Sequence, residues 1–506
     1  MQHLQCIRSP FVHQMRNIAH HIPFHNRVKQ ECLRLSNVPL LSSIVKQYES
    51  IQPLKHYSVL NIQHELGDVS AQVEALIRLG ALPKHVYFLP PSYSHNKQFE
   101  AFLAKHFHIP KENLFDSSSY RLRYNYDKYR LMNVLVHLKQ MIQLESMKTQ
   151  NQSNNLLILD DGGCFSEAIT ILFDIEENKL DPNELSCNLP STLELSERDA
   201  KLILSFLKTN QIRLVEQTSR GLFKYIDQPK IPIALKKLGI SIVDVATSEP
   251  KKRLESVIIA ETCLNMLSYL FYDAPAHLKI PKPSKNDQCL LLGYGAIGQA
   301  IAYALTHGGD LGMFSKDSVY IWDTDMNKRT SAESDGFRLF NQWDKTNEFN
   351  YIIGCAGRCS LSMSSLSLLR NSSYLISVSS AAIEFPFHEM IQYASERRAD
   401  DIQIRLSKEE FDKLNDEDIH RNIKFLIENS KEITVVNGGM PITFLGILNP
   451  TVPEKFDLTI SLMVAASIQA TLMKLANDQE NRIIPLNTNF SNFICNWFET
   501  RKSVEY

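Results

Sequence analysis

The stretch Gln288-Cys289-Leu290-Leu291-Leu292-Gly293-Tyr294-Gly295-Ala296-Ile297-Gly298 decides the fold. An apolar run enters Gly293-x-Gly295-x-x-Gly298, and a small-residue helical segment, Gln299 to Leu305, leaves it. Gly293 permits a tight strand-to-helix turn. Gly295 lets the backbone approach a pyrophosphate with no Cβ in the way, and Gly298 lets the helix lie against the strand. The amides at the helix start, around Ala296 and Ile297, meet phosphate charge. A second apolar run, Val319 to Trp322, ends at Asp323, a carboxylate placed to accept both ribose hydroxyls. The interval from Gly293 to Asp323 exceeds the usual ~20 residues. A loop insertion over 308–318 accounts for the excess. An acidic residue at 323 repels a 2′-phosphate, so NAD is expected over NADP, although Lys328 and Arg329 follow closely.

Working outward, strands alternate with helices on both sides of this unit. Apolar runs at Ser58–Ile62, Val86–Leu89, Asn155–Leu159, Ile212–Glu216 and Ser241–Val245 read as buried strands. Helical spacing covers Ser70–Leu79, Arg130–Met147 and Arg253–Phe271. The dinucleotide unit continues through Tyr351-Ile-Ile-Gly-Cys-Ala-Gly357, Tyr374–Val378 and Ile433–Val436, with Gly357 on the cofactor side. The pattern predicts an α/β protein of two doubly wound parallel sheets with a cleft between them. The expected organisation is a helical segment over 1–54, a substrate-type domain over 55–265, a dinucleotide domain over 266–445 and C-terminal helices over 446–506. Pro281 and Pro283 mark the boundary between the domains. The strongly apolar helix Asp457–Leu475 covers a domain or pairs with another subunit. Residues 175–200, acidic and interrupted by Pro182 and Pro190, read as an inserted surface segment.

The chain has 506 residues, 44% hydrophobic and 22% charged, with a formal net charge of −2, so neither nucleic acid nor an anionic membrane is an expected partner. None of the nine cysteines forms a CxxC, and Cys355-x-x-x-Cys359 has no second pair, so no metal is expected there. The N-terminus lacks the apolar core of a signal peptide, and a cytoplasmic location is expected.

The order of these pieces resembles the S-adenosylhomocysteine hydrolase family over most of residues 57–440. Asp160-Asp161-Gly162-Gly163 after a buried strand, Glu216-Gln217-Thr218-Ser219-Arg220-Gly221, the segment Ala246–Ser256 and the Gly-Tyr-Gly loop follow in the family's order. His64 and Glu74–Gly80 match an earlier family stretch. The resemblance implies redox-neutral chemistry: bound NAD oxidises a nucleoside hydroxyl, the neighbouring C–H becomes acidic, a thiol leaves, water adds and the hydride returns. It implies that Lys251 assists hydroxyl deprotonation beside Glu255, that His64 and Asp161 face the reacting carbon, that Glu216 belongs to the catalytic site, and that Asn437 lies on the cofactor side. It also implies a homodimer or homotetramer.

Departures fall on the substrate side. Leu66, Gln217 and Ser256 replace a Thr, a Glu and an Asn. Ser379-Ser380-Ala381-Ala382 replaces a Gly-His-Phe-Asp, so the catalytic His expected at Ser380 is missing, and the tail Trp497–Lys502 offers no convincing copy of the family's C-terminal Lys and Tyr. A site that loses hydrogen-bonding groups can lose selectivity by factors of ~10⁴. The expectation is an NAD-dependent enzyme that oxidises a secondary alcohol of a different small-molecule or nucleoside-like substrate. The alternative is a catalytically inactive NAD-binding protein with a regulatory role. A 2-hydroxyacid dehydrogenase ranks last, because His388-Glu389 has no suitable Arg to go with it.

Overall fold

The computed structural model describes residues 24–148, 155–307, 313–341, 349–379, 382–396, 403–428, 431–473 and 483–502. Two parallel sheets organise them. The first is built from β1 (Tyr57–Ile62), β2 (Val86–Phe88), β3 (Asn155–Asp160), β4 (Gln211–Glu216) and β5 (Ile242–Asp244), in the order β5-β4-β3-β1-β2. Helices flank it, among them α1 (Pro39–Tyr48), α2 (Gly67–Arg78), α3 (Tyr126–Met147) and α4 (Cys164–Glu176). With helices on both faces, strands such as β3 are apolar along their middle, Leu156 to Leu159, and buried from Leu156 to Asp160. The register sets Ile62 beside Asp160, Asp160 beside Glu216 and Glu216 beside Asp244, so three acids line up along the C-terminal edge.

Helix α5 (Ser256–Tyr272) leads towards the second sheet. Together with the preceding turn it forms a stretch, Lys251–Tyr272, long and apolar enough to cross a membrane, but 78% of its most apolar window is buried inside the molecule. The second sheet contains β6 (Cys289–Leu292), β7 (Val319–Trp322), β8 (Arg338–Leu339), β9 (Tyr351–Gly354), β10 (Ser373–Ser377), β11 (Ile404–Arg405), β12 (Ile423–Ile427) and β13 (Lys431–Val435). The order is β11-β12-β13-β10-β9-β6-β7-β8, and α6 (Ala296–His307) follows β6. Leaving out the antiparallel pair β11 and β12, this is the doubly wound order of dinucleotide-binding folds. The pair was not anticipated from sequence, although β12 alternates buried Ile423, Phe425 and Ile427 with exposed Lys424 and Leu426.

The chain then returns to the first sheet. Helix α7 (Asp457–Leu472) is buried along nearly its whole length and packs against α1, α2, β4 and β5. Asp457 opens it and accepts the Leu40 and Leu41 amides of α1 at 2.8 and 2.9 Å. Strand β14 (Ile483–Pro485) then pairs with β5. The apolar helix expected to cover a domain or a subunit interface therefore covers this chain's own first sheet. In the segment 175–200 the exposed stretches enclose an anchor, because Leu193 and Leu195 are buried against the first lobe's core.

Candidate functional site

In an open α/β sheet, ligands sit beyond the strand C-termini where the winding reverses. In the first sheet that point lies between β1 and β3. His64 follows β1 and Asp161 follows β3, with His64 Nε2 3.5 Å from Asp161 Oδ2. The Ser94 hydroxyl lies 2.8 Å from His64 Nδ1. Burial, reinforced by the buried cation Arg130, pushes His64 down to about 3, so its imidazole is neutral at ordinary pH. Burial lifts the Asp161 carboxyl to about 6, while Lys251 and Arg130 pull it back and Glu255 raises it. Lys251 and Glu255 sit on a wide helical turn ahead of α5. Lys251 Nζ lies 3.0 and 2.8 Å from the two Glu255 oxygens, and Thr459 of α7 donates to Glu255 at 2.6 Å. His64, Asp161, Lys251 and Glu255 thus gather at this sheet edge, the first two in direct approach and the last two close enough to act on the Asp161 carboxyl.

Glu216 has a different setting. Its buried carboxylate accepts the Gly162, Gly163 and Thr218 amides at 3.2, 3.0 and 2.8 Å, and the Thr218 hydroxyl at 2.8 Å. Burial first and Asp160 second push this carboxyl well above the usual range. These contacts fix the Asp160–Gly163 turn. Gln217 joins an amide chain, accepting from Gln63, which accepts from Gln72. Asp160 caps α4 through the Cys164 and Phe165 amides. Leu66 precedes α2 and makes no side-chain cap, the Ser256 hydroxyl bonds the Lys252 carbonyl, and Ser380 lies outside the described residues.

Phe444, which the sequence reading passed over, reaches this sheet edge from the second lobe. Its ring stacks on His64 with centroids 3.8 Å apart and planes 8° apart, and Tyr93 flanks both rings. Asn437 positions that loop. Held at φ 53°, it donates to the Met440, Pro441 and Phe444 carbonyls at 3.3, 3.1 and 3.2 Å, while its oxygen lies 3.0 Å from His420 Nδ1. All of these Asn437 contacts are internal to the loop and its neighbours, not directed at the Gly293–Gly298 turn.

The second sheet reverses between β6 and β9. Gly293, at φ 106°, turns so tightly that a Cβ would lie 2.9 Å from the Ala356 amide nitrogen. A Cβ on Gly298 would lie 2.1 Å from the Gly293 carbonyl oxygen. On Gly295 it would meet, among the described residues, only the Lys328 ammonium, at 3.4 Å, which leaves an open cradle with a cation at its rim. Ala296 and the exposed Ile297 open α6 beside it. Asp323 accepts the Tyr294 amide at 2.7 Å on one oxygen and the Asp325 amide at 2.9 Å on the other, leaving further lone pairs for ribose. The Arg329 guanidinium lies over Trp322, 3.8 Å from the ring centroid. Gly357 donates to Glu384 at 2.7 Å.

Glu384 also escaped the sequence reading, although a lone acid in Ile383-Glu384-Phe385 was a signal. It is fully buried, accepts from Ser379, and rests where a Cβ on Gly354 would stand. Burial lifts it from 4.5 to about 7, against the pull of Ser379 and the Gly357 amide. A carboxyl raised on folding stabilises most below its unfolded value. Stability from this group should therefore decline as pH rises from 4.5 to about 7 and then level off. Urea titrations across that range should show the decline in the wild type and a flatter profile in Glu384→Gln.

The cluster His388-Glu389 opens a helix elsewhere, and His388 lines a separate cleft of about 680 Å³ with Arg123, Lys128 and Asn415.

Comparison with known proteins adds little. No protein-family model matches, and no curated protein matches. Among solved structures, the chain is similar to an oxidoreductase of Ralstonia solanacearum provisionally assigned as a D-3-phosphoglycerate dehydrogenase (14% identity, TM-score 0.27, 49% of this chain and 78% of that one). It is similar to a D-lactate dehydrogenase of Treponema pallidum (12%, 0.27, 54% and 74%). It is also similar to the NAD-complexed D-isomer-specific 2-hydroxyacid dehydrogenase of Lactobacillus delbrueckii ssp. bulgaricus (13%, 0.25, 54% and 74%). Likeness of this size assigns no family.

Proposed function

We propose that this chain is an NAD-dependent oxidoreductase acting on a secondary alcohol of a small polar, nucleoside-like molecule. The observation that carries the reading is the pairing of an open glycine cradle at one switch point with four convergent ionisable or proton-bearing side chains at the other. Gly293, Gly295, Gly298 and the start of α6 would hold the pyrophosphate, with Lys328 beside it, and Asp323 would hold the adenosine ribose. Bound NAD supplies a hydride acceptor. Lys251, fixed by Glu255 and Thr459, orients the substrate hydroxyl and passes its proton to the carboxylate. Asp161 titrates close enough to neutrality to give or take a proton at the adjacent carbon. His64, neutral and held by Ser94, bonds the substrate without adding charge. Arg329 lies over Trp322 and so is engaged there, which favours NAD over its 2′-phosphorylated form.

One observation favours a second reading, an NAD-binding protein without turnover: the Phe444 ring covers one face of His64. Absorbance of the reduced nicotinamide separates the two. Protein carrying NAD, mixed with a panel of nucleosides and hydroxy compounds, should form the reduced cofactor with at least one of them. Lys251→Ala should keep its NAD and lose roughly 100-fold in the rate of reduction, the scale of one positioned proton-transfer group. Silence across the panel in wild type, joined by reduction in Phe444→Ala, would identify that ring as a plug. Silence in both favours the binding protein.

A further inference from the structure

The loops after β1 and β2 run side by side because the two strands pair in parallel. Two adjacent pairs of residues face each other across them. His64 meets Ser94 at the site already described, and one residue further along Glu65 meets His95. Helix Lys97–Phe107 starts immediately after, and Glu100 in its first turn reaches the same point. His95 Nδ1 lies 3.5 Å from Glu65 Oε2 and 3.9 Å from Glu100 Oε1. One donor atom from each of the three residues lies within 4.8 Å of the others.

Two features set this group apart from a solvated acidic cluster. The Glu65 side chain is only 1% exposed, yet among the described residues its Oε1 has no hydrogen-bond partner, and His95 Nδ1 is likewise buried without one. The Asn96 amide serves Glu65 Oε2 alone. A buried carboxyl oxygen without a partner is relieved by a proton or by a cation that meets it. The spacing is also informative. Separations of 3.5 and 3.9 Å are too long for hydrogen bonds. Ligand atoms about 2.0–2.1 Å from a tetrahedral ion stand roughly 3.4 Å apart. Asp116 lies on the far side of the ring, its Oδ1 3.8 Å from Nε2, where it favours a proton on Nε2 and leaves the Nδ1 lone pair for a metal.

We infer that Glu65, His95 and Glu100 form a binding site for a divalent first-row transition ion. One imidazole with two carboxylates suits Zn²⁺ or Mn²⁺ better than Mg²⁺ or Ca²⁺, which prefer all-oxygen sites. The ion would tie together the two loops that carry His64 and Ser94. Its role is to hold that pair in place, since Glu65 and His95 directly follow His64 and Ser94 in the two loops. The inference stands on these residues alone and does not depend on the cofactor assignment.

Zn²⁺ serves as the probe. Calorimetric titration of chelator-stripped full-length protein should show one ion per chain, and the melting temperature should rise with added Zn²⁺. Glu100→Gln, at a partly exposed helix start where folding is not at risk, should weaken binding at least tenfold and blunt the thermal response. Glu65→Gln should do the same, with unchanged circular dichroism as the check on folding. Co²⁺ should bind without the thiolate absorption band that ligation by Cys187 or Cys359 would produce. The inference fails if no ion binds below millimolar Zn²⁺, if Glu100→Gln binds as the wild type does, or if Co²⁺ reports thiolate ligation.

Discussion

Gly295→Val should leave a folded protein that binds NAD a thousandfold or more weakly, a loss of about 4 kcal/mol. Among the described residues a Cβ at this position meets only the movable end of Lys328, so the fold has no reason to object. What the side chain fills is the space over the start of α6 in which a pyrophosphate would lie. Gly298→Ala is the contrasting case. Its Cβ would stand 2.1 Å from the Gly293 carbonyl oxygen and 3.2 Å from Cys355 Sγ, a backbone collision that nothing nearby relieves. That change should act on folding, costing about 3 kcal/mol. Thermal scans and NAD titrations of the two variants should therefore separate. The first should keep its melting temperature and lose the ligand. The second should lose melting temperature, and its ligand affinity only as a consequence. Equal melting losses in both would show that Gly295 serves packing and not a ligand.

Glu216→Ala should destabilise the first lobe by about 4 kcal/mol, at the top of the range for single substitutions. The change strands the Gly162 and Gly163 amides and the Thr218 amide and hydroxyl, which all converge on this carboxylate. It also removes the carboxyl against which Gly221 is packed, where even a Cβ would lie 2.1 Å from the Glu216 carboxyl carbon. Glu216→Gln keeps two acceptor lone pairs and should lose about half as much. Urea unfolding measures both. A Glu216→Ala protein of wild-type stability would return this residue to the catalytic-site role that the family resemblance implies.

The parts legible in the sequence were those whose chemistry needs particular residues at particular spacings. Gly293, Gly295 and Gly298 are such a case, because a pyrophosphate beside a helix start tolerates no Cβ there. The meeting of His64 and Asp161 was legible because both follow strands whose ends lie at a winding reversal. The role of Glu216 was not legible. A carboxylate that serves a catalytic site and one that holds a glycine turn both follow a buried strand, and only the four converging donors tell them apart. The structural part played by Asn437 was not legible either: its side chain supports a left-handed loop turn, which a motif match does not reveal. Phe444 was invisible because it meets His64 across two lobes, far apart in sequence. Strand β14 is three residues long, and its place is set by its partner β5, with little pattern of its own to read.

The account turns on the cradle at Gly293–Gly298 holding a nicotinamide dinucleotide. Calorimetric titration of NAD into nucleotide-stripped protein tests it most directly. Saturable binding of one NAD per chain, abolished in Gly295→Val while the melting temperature holds, is the predicted result. No heat of binding up to millimolar NAD in well-folded wild-type protein would contradict it.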